Sequence, residues 1–228
     1  MALAGSGAVC IWNDITPEGR DEFYEWHLHE HMSERAAIPG FRHGRRYIAI
    51  DSSTSPEFFT LYETANAAVL TSPDYLARLN APTPWTRKAT QAFRNTSRAL
   101  TAVRASLGPG LGGVLATLRF AVAAGREEEA ISFIATNAVV AAAAQARIAG
   151  VHLCATDHDA SMSKTAESRD RTDIMAAPGW VILVEGCDDA AVRKAAIDLQ
   201  TSIAFLLTGA ALAGFYRFEF QSDVQSAS

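Results

Sequence analysis

Apolar and polar residues alternate over residues 8–14 (AVCIWND), which predicts a strand, and the spacing then lengthens to that of a helix. Thr16 is the expected cap and Pro17 the first-turn proline. A helix is expected over 21–37, with Phe23, Trp26, Leu28, Met32 and Ile38 on helical spacings and Pro39-Gly40 as its stop. Strands follow over 41–50 and 58–63, separated by a polar turn. Alternation along the first of these puts Phe41, His43, Arg45 and Tyr47 on one face and Arg42, Gly44, Arg46 and Ile48 on the other. One or two short helices are expected over 65–80, broken at Ser72-Pro73, then a helix over 84–95 and a strand over 98–106. The segment LGPGLGG, residues 107–113, reads as a linker or wide turn because glycine and proline dominate it.

The same order then recurs: a strand over 113–120, a helix over 127–147 opened by acidic residues that suit its N-terminus, and a strand over 150–156. A polar stretch over 157–177 is expected to be a long loop, of which SMSKTAESRDRTD, residues 161–173, would fold over a pocket or stay mobile. A strand over 180–185, a helix over 188–207, a strand over 213–220 and a frayed tail complete the chain. Local echoes support a repeat. Ile38-Pro39-Gly40-Phe41 is matched by Ile148-Ala149-Gly150-Val151, and FFTLYE, ending at Glu63, by WVILVE, ending at Glu185. The expected fold class is α+β: two diverged ferredoxin-like βαββαβ halves, 1–107 with the candidate site and 108–228, fused into one compact unit. Each half would cover one sheet face with helices, and the two bare faces would hide each other.

Composition narrows the function classes. The chain has 228 residues, 49% of them hydrophobic, and a formal charge of −5. The acidic balance argues against a general nucleic-acid binder, which needs a basic field to neutralise phosphates. The N-terminus lacks the basic and apolar regions of a signal peptide, and charge interrupts every long apolar stretch, so no membrane partner is expected and the cytoplasm is the default location. Cys10, Cys154 and Cys187 are too scattered for a disulfide framework or zinc cluster and read as small buried hydrophobes. A homo-oligomer is compatible with the sequence.

The stretch from Trp12 to Tyr47, with WHLHEHMSERAAIPGF followed by RHGRRY, resembles the dimeric α/β-barrel proteins and, within them, the EthD-like group. Glu30-His31 and Glu34-Arg35 match the pattern of that group, with Ser33 where a proline is more usual. The similarity covers about the first hundred residues and fades in the second half, which has no histidine matching His31. The resemblance implies a barrel made of two ferredoxin-like units, usually from two chains and here from one. It spans muconolactone isomerases, polyketide cyclases, quinol-forming monooxygenases and haem enzymes, so it implies fold more than reaction.

Candidate chemistry concentrates in the first half. His27 and His31 are four apart and share a helix face, whereas His29 points away. The order HLHEH is not HExxH, so the metalloprotease glutamate is missing from its position. A metal would need a third ligand such as His43 or Asp14, and the preferred reading has no metal. His31 is the expected acid–base group, with His27 beside it, because imidazole exchanges protons near neutrality. Arg45 and Tyr47 are expected to steady oxyanionic charge, and Arg35 or Arg45 to anchor an anionic substrate; salt bridges to Glu30, Glu34 or Glu63 are the competing explanation. Trp12 is a candidate wall for a flat ligand, Asp14 a candidate histidine partner, His43 a further substrate contact and Trp85 a lid residue; each also reads as packing or capping. His152, Asp157, His158 and Asp159 resemble a metal-ligand run but equally a solvated turn. No nucleotide or phosphate-loop fingerprint and no GxSxG occurs in the required context, so no cofactor is expected. The leading function is a cofactor-independent isomerase or lyase, cyclisation included, acting on a small, partly apolar carbonyl or carboxylate compound. The alternatives are a non-catalytic carrier of a small hydrophobic molecule and a monooxygenase or haem-binding protein.

Overall fold

The computed structural model describes residues 3–169 and 173–223. The expected fraying of the tail falls largely on 224–228, outside the described residues. Eight strands form: β1 (Gly7–Ile15), β2 (Phe41–Ala49), β3 (Phe58–Thr64), β4 (Phe93–Leu107), β5 (Val114–Phe120), β6 (Ile148–Thr156), β7 (Trp180–Gly186) and β8 (Leu212–Asp223). Between them lie α1 (Arg20–Trp26) and α2 (Met32–Ala36), α3 (Pro73–Asn80), α4 (Pro84–Ala89), α5 (Glu127–Phe133) and α6 (Val139–Ala143), α7 (His158–Met162) and α8 (Asp189–Ile203).

The strands close into one antiparallel barrel in the order β1-β3-β2-β8-β5-β7-β6-β4. Two bare sheet faces do hide each other, but the edges are also sealed: β4 bonds to β6 and β8 to β2, so each half lends its last strand to the other. Alternation decides what each strand buries. Ala8, Cys10 and Trp12 of β1, Phe59 and Leu61 of β3, and Leu115, Val181, Leu183 and Tyr216 fill the barrel interior. The alternate residues face the outer helices. On the second half, Leu118, Phe120, Ile182 and Val184 meet Ile134, Ala138, Val192 and Leu199 in a continuous apolar layer.

Several elements depart from the sequence expectation for local reasons. The long first helix is not uniform: His27–His31 is a π-helical segment between α1 and α2, and Ile134–Ala138 is a second one between α5 and α6. The helix expected over 84–95 ends at Ala89, and β4 starts at Phe93 because its first residues pair with Asp14 and Ile15. In β2 a register shift between Phe41 and His43 adds one residue against β3. Phe41 therefore packs on the helix side with Tyr62 and Tyr75, while Tyr47 faces the barrel interior, so the single-face expectation for Phe41, Arg45 and Tyr47 does not hold. The stretch after β6 is not all loop: Asp157 caps α7, and Ile174 bridges to Thr96 of β4. Cys10 and Cys154 are buried, and burial pushes their thiols up, Cys154 to about 12. Cys187, in the turn between β7 and α8, is exposed rather than buried. Among the described residues no helix is long and apolar enough to cross a membrane.

Candidate active site

The helix-facing side of the first half's sheet does not close. Between it and α1–α2 lies a cavity of about 320 Å³. Ile11 and Asn13 of β1, Thr60 and Tyr62 of β3, and Thr96 and Arg98 of β4 form its floor. Trp26, His27, His31 and Arg35 form a wall, with Tyr75, Leu79 and Phe93 closing the sides. Its cover comes from the other half: Ser161, Met162, Thr165, Glu167, Ile174 and Met175 all reach it from the stretch after β6. Backbone bonds hold that cover down, from Glu167 to Leu79 and between Thr96 and both Asp173 and Met175.

The π-helical segment brings His27 and His31 together. Their rings stack with centroids 5.5 Å apart at 20°, and Trp26 lies 4.2 Å from His31. Single π turns inside α-helices are frequent at functional sites. Both histidines are buried, while His29 points to solvent and pairs with Glu25. Burial holds His27 well below the usual imidazole range, helped by nearby His31, Arg46 and Arg35. His27 Nδ1 lies 3.4 Å from Arg46 Nη1, which can only donate, so the neutral ring carries its proton on Nε2. Trp26 is fixed by a bond from Nε1 to Thr86 Oγ1 of 3.2 Å, and Thr83 and Thr86 in turn hold Glu30. Glu34 pairs with Arg78. Both acids thus brace the helix from outside rather than orienting an imidazole.

Arg35 reaches the cavity from α2 and forms an ion pair with Glu167, delivered by the second half. Its Nη1 is buried with no hydrogen-bond partner among the described residues. Asn13 Nδ2 and Thr96 Oγ1, on the floor, are in the same position. Buried polar atoms without partners are rare and costly, so a cluster of them in one cavity calls for an explanation. Tyr62 donates to Met32 Sδ at 3.2 Å, and burial pushes its hydroxyl far up, so it stays protonated.

The remaining candidates lie elsewhere, and the sheet separates Trp12, Arg45 and Tyr47 from the histidines. Arg45 is inside the barrel, bonded to Glu63 at 2.7 Å, Glu185 at 2.9 Å and the Tyr47 hydroxyl at 2.6 Å. That is the salt-bridge explanation, with Glu63 among the partners foreseen and Glu185 added from the second half. Trp12 is also interior, its Nε1 3.2 Å from Thr117 Oγ1 and its ring under Arg119. Asp14 accepts from the Glu57 backbone and from Asn95 Nδ2, tying the β1 end to the β2–β3 loop and to the start of β4. His43 pairs with Asp223 at a half-exposed edge. Trp85 donates to Glu22 at 2.6 Å and anchors α4 to α1. His152 is buried in the barrel against Ser106 and Glu185, while Asp157, His158 and Asp159 are exposed around the start of α7, so that run does not converge. Among the described residues no group of three or more His, Cys, Asp or Glu side chains is arranged to hold a metal.

Of the sequence candidates, then, His27, His31 and Arg35 meet at the cavity. Asn13, Thr60, Thr96 and Glu167 were not singled out. The polar residues at helix-facing positions of otherwise apolar strands were the available signal for the first three.

No family model matches the chain, and no curated protein matches it. Solved structures do. An anthrone oxidase-like protein is similar with a TM-score of 0.63 and 10% identity, covering 96% of this chain and 93% of that one. A candidate monooxygenase from Lactobacillus acidophilus is similar with a TM-score of 0.58 and 8% identity, covering 96% and 97%. A heme-binding protein from Thermus thermophilus is similar with a TM-score of 0.54 and 12% identity, covering 95% and 92%. The chain has the dimeric α/β-barrel fold of these proteins, with both ferredoxin-like units in one polypeptide.

Proposed function

We propose that the protein is an enzyme that moves a proton on a small, partly apolar carbonyl compound, as an isomerase or a lyase, cyclisation included. The observation that carries this reading is the stacked His27–His31 pair lining a covered cavity whose floor holds the uncommitted donor Asn13 Nδ2. His31 takes a proton from carbon next to the carbonyl. Asn13 donates to the oxygen as enolate charge develops, in a site with little water to compete. His27, kept neutral, offers no second positive charge against protonated His31. Trp26 and Ile11 hold the apolar body, and the second-half cover excludes solvent.

A second reading draws on the oxidase-like and monooxygenase-like names among the structural neighbours. In it the same deprotonated carbon passes its electrons to dioxygen instead of being reprotonated. Both readings share the first step. A cavity of about 320 Å³, near the lower end of the range of roughly 300–1,000 Å³ for small-ligand pockets, suits a compact aromatic compound.

The test is solvent-deuterium exchange into a panel of enolisable aromatic ketones, followed by NMR, with dissolved oxygen recorded in parallel. His31→Ala is expected to slow exchange by roughly 10²–10⁴-fold. Unchanged exchange in His31→Ala removes this assignment. Oxygen uptake linked to substrate loss selects the second reading, and binding without exchange or uptake leaves a carrier.

A further inference from the structure

The cavity is charged in the opposite sense to the chain that contains it. Among the described residues its lining includes the cations Arg35, Arg98 and Lys164 and one acid, Glu167. Arg98 spends a bond of 3.4 Å on the Ser161 carbonyl, and neither it nor Lys164 pairs with a carboxylate among the described residues. His27 is neutral. A positive pocket in a protein of formal charge −5 draws anions and repels cations.

The uncommitted polar atoms are not spread evenly. Asn13 and Thr96 sit on neighbouring strands, where Trp12 pairs with Ser97 and Asp14 with Arg94. On β3, Asn13 lies beside Phe58. Tyr62, which lines the cavity together with Arg35 and Tyr75, is four residues further along β3, about 13 Å of strand. The floor between is Ile11 and Thr60, with Arg98 of β4 beside Ile11, under the histidine wall. One end thus offers neutral donors and the other the open guanidinium edge of Arg35.

We infer that the substrate is a compact, planar anion with two ends: a carboxylate taken by Arg35 Nη1, and a carbonyl or phenolic oxygen seated on Asn13 and Thr96. This deepens the proton-transfer reading and rests on the same cavity. Arg35 is a specificity residue here, and Glu167 is its stand-in partner, which holds the guanidinium in place and leaves Nη1 open. A guanidinium binds a carboxylate more strongly than an equal-sized amide, because the bond is charge-assisted.

The experiment is calorimetric binding of anthraquinone-2-carboxylate and of its neutral carboxamide to the full chain. The carboxylate is expected to bind roughly ten- to a hundredfold tighter. Arg35→Met is expected to erase that preference. Glu167→Gln, which leaves the guanidinium charge uncompensated, is expected to tighten the carboxylate and not the carboxamide, and it decides the matter if Arg35→Met does not fold. His31→Gln is expected to keep the preference, so loss of proton exchange in that variant tests catalysis separately from recognition. Equal affinity of the two ligands, binding of neither, a preference that survives in folded Arg35→Met, or no tightening in Glu167→Gln overturns the inference.

Discussion

The two halves build the same layered unit and put it to opposite uses. In each, a strand is followed by a helix interrupted by a π segment, His27–His31 in one and Ile134–Ala138 in the other. Each segment ends ten residues before the next strand begins, at Phe41 and at Ile148. Ile134 and Ala138 thus occupy the places of His27 and His31. Facing them, Leu118 and Phe120 replace floor residues such as Asn13, and apolar side chains pack in one continuous cluster. The backbone offers two equivalent places for a site, and side-chain size and polarity decide which one opens. The second half is not idle. From its β6–β7 connection, Ser161–Ser168 and Ile174–Met175 cover the first half's cavity, whereas the β2–β3 connection, residues 50–57, is short and offers its Ser55 carbonyl to Arg119.

Three substitutions sharpen this contrast, beginning with the largest effect. Arg45→Met leaves Glu63 and Glu185, one from each half, facing each other in the barrel without their shared cation. Denaturant unfolding is expected to show a loss of about 3–5 kcal/mol, because the two carboxylates stay buried. A loss below about 1 kcal/mol means the two acids find other compensation. Next, Ile134→Ala opens a void in the sealed half and is expected to cost about 2–5 kcal/mol. His27→Ala, at the matching place beside an existing cavity, is expected to cost less. If the order reverses, the first half depends on its histidines for packing and the contrast collapses.

The smallest effect is on pH dependence. His27 is neutral when folded and takes a proton more readily when unfolded, so the unfolded chain binds more protons as pH drops. Stability from this group is fully present above the ordinary histidine value of about 6.5 and falls below it, by up to about 1.4 kcal/mol per pH unit. His27→Gln is expected to flatten that part of the profile. Melting curves from pH 7 downwards decide it, and an unchanged slope means the acid sensitivity lies elsewhere.

What could be read from the sequence follows the range of the interactions. The strands and the order of elements come from alternation and helical spacing over a few residues, and His27 and His31 declare themselves by being four apart. The π segment, which changes how those rings meet, has no residue signature of its own. Register is harder: one extra residue before His43 turns Phe41 away from the face of Tyr47, and no alternation pattern signals it. Glu167 is further out of reach. It meets Arg35 from 132 positions away, and only barrel closure brings the two together. Arg45 shows the reverse problem, because a guanidinium flanked by histidine and tyrosine looks like chemistry until Glu185 arrives from the other half.

The seam between β2 and β8 also has a consequence during synthesis. His43 and its ladder partner Asp223 are 180 residues apart, so β2 leaves the ribosome well before its neighbour exists. At about 5–20 residues per second the interval is roughly ten to forty seconds. Throughout it, one edge of the nascent sheet offers unpaired backbone groups to any passing strand. That edge reads RHGRR, and a run of like charges is what discourages adhesion between copies. Arg45, read from the sequence as a substrate contact, thus helps guard an unfinished sheet with only Glu63 to pair it, and Arg46 does so before its partner Glu219 has been made.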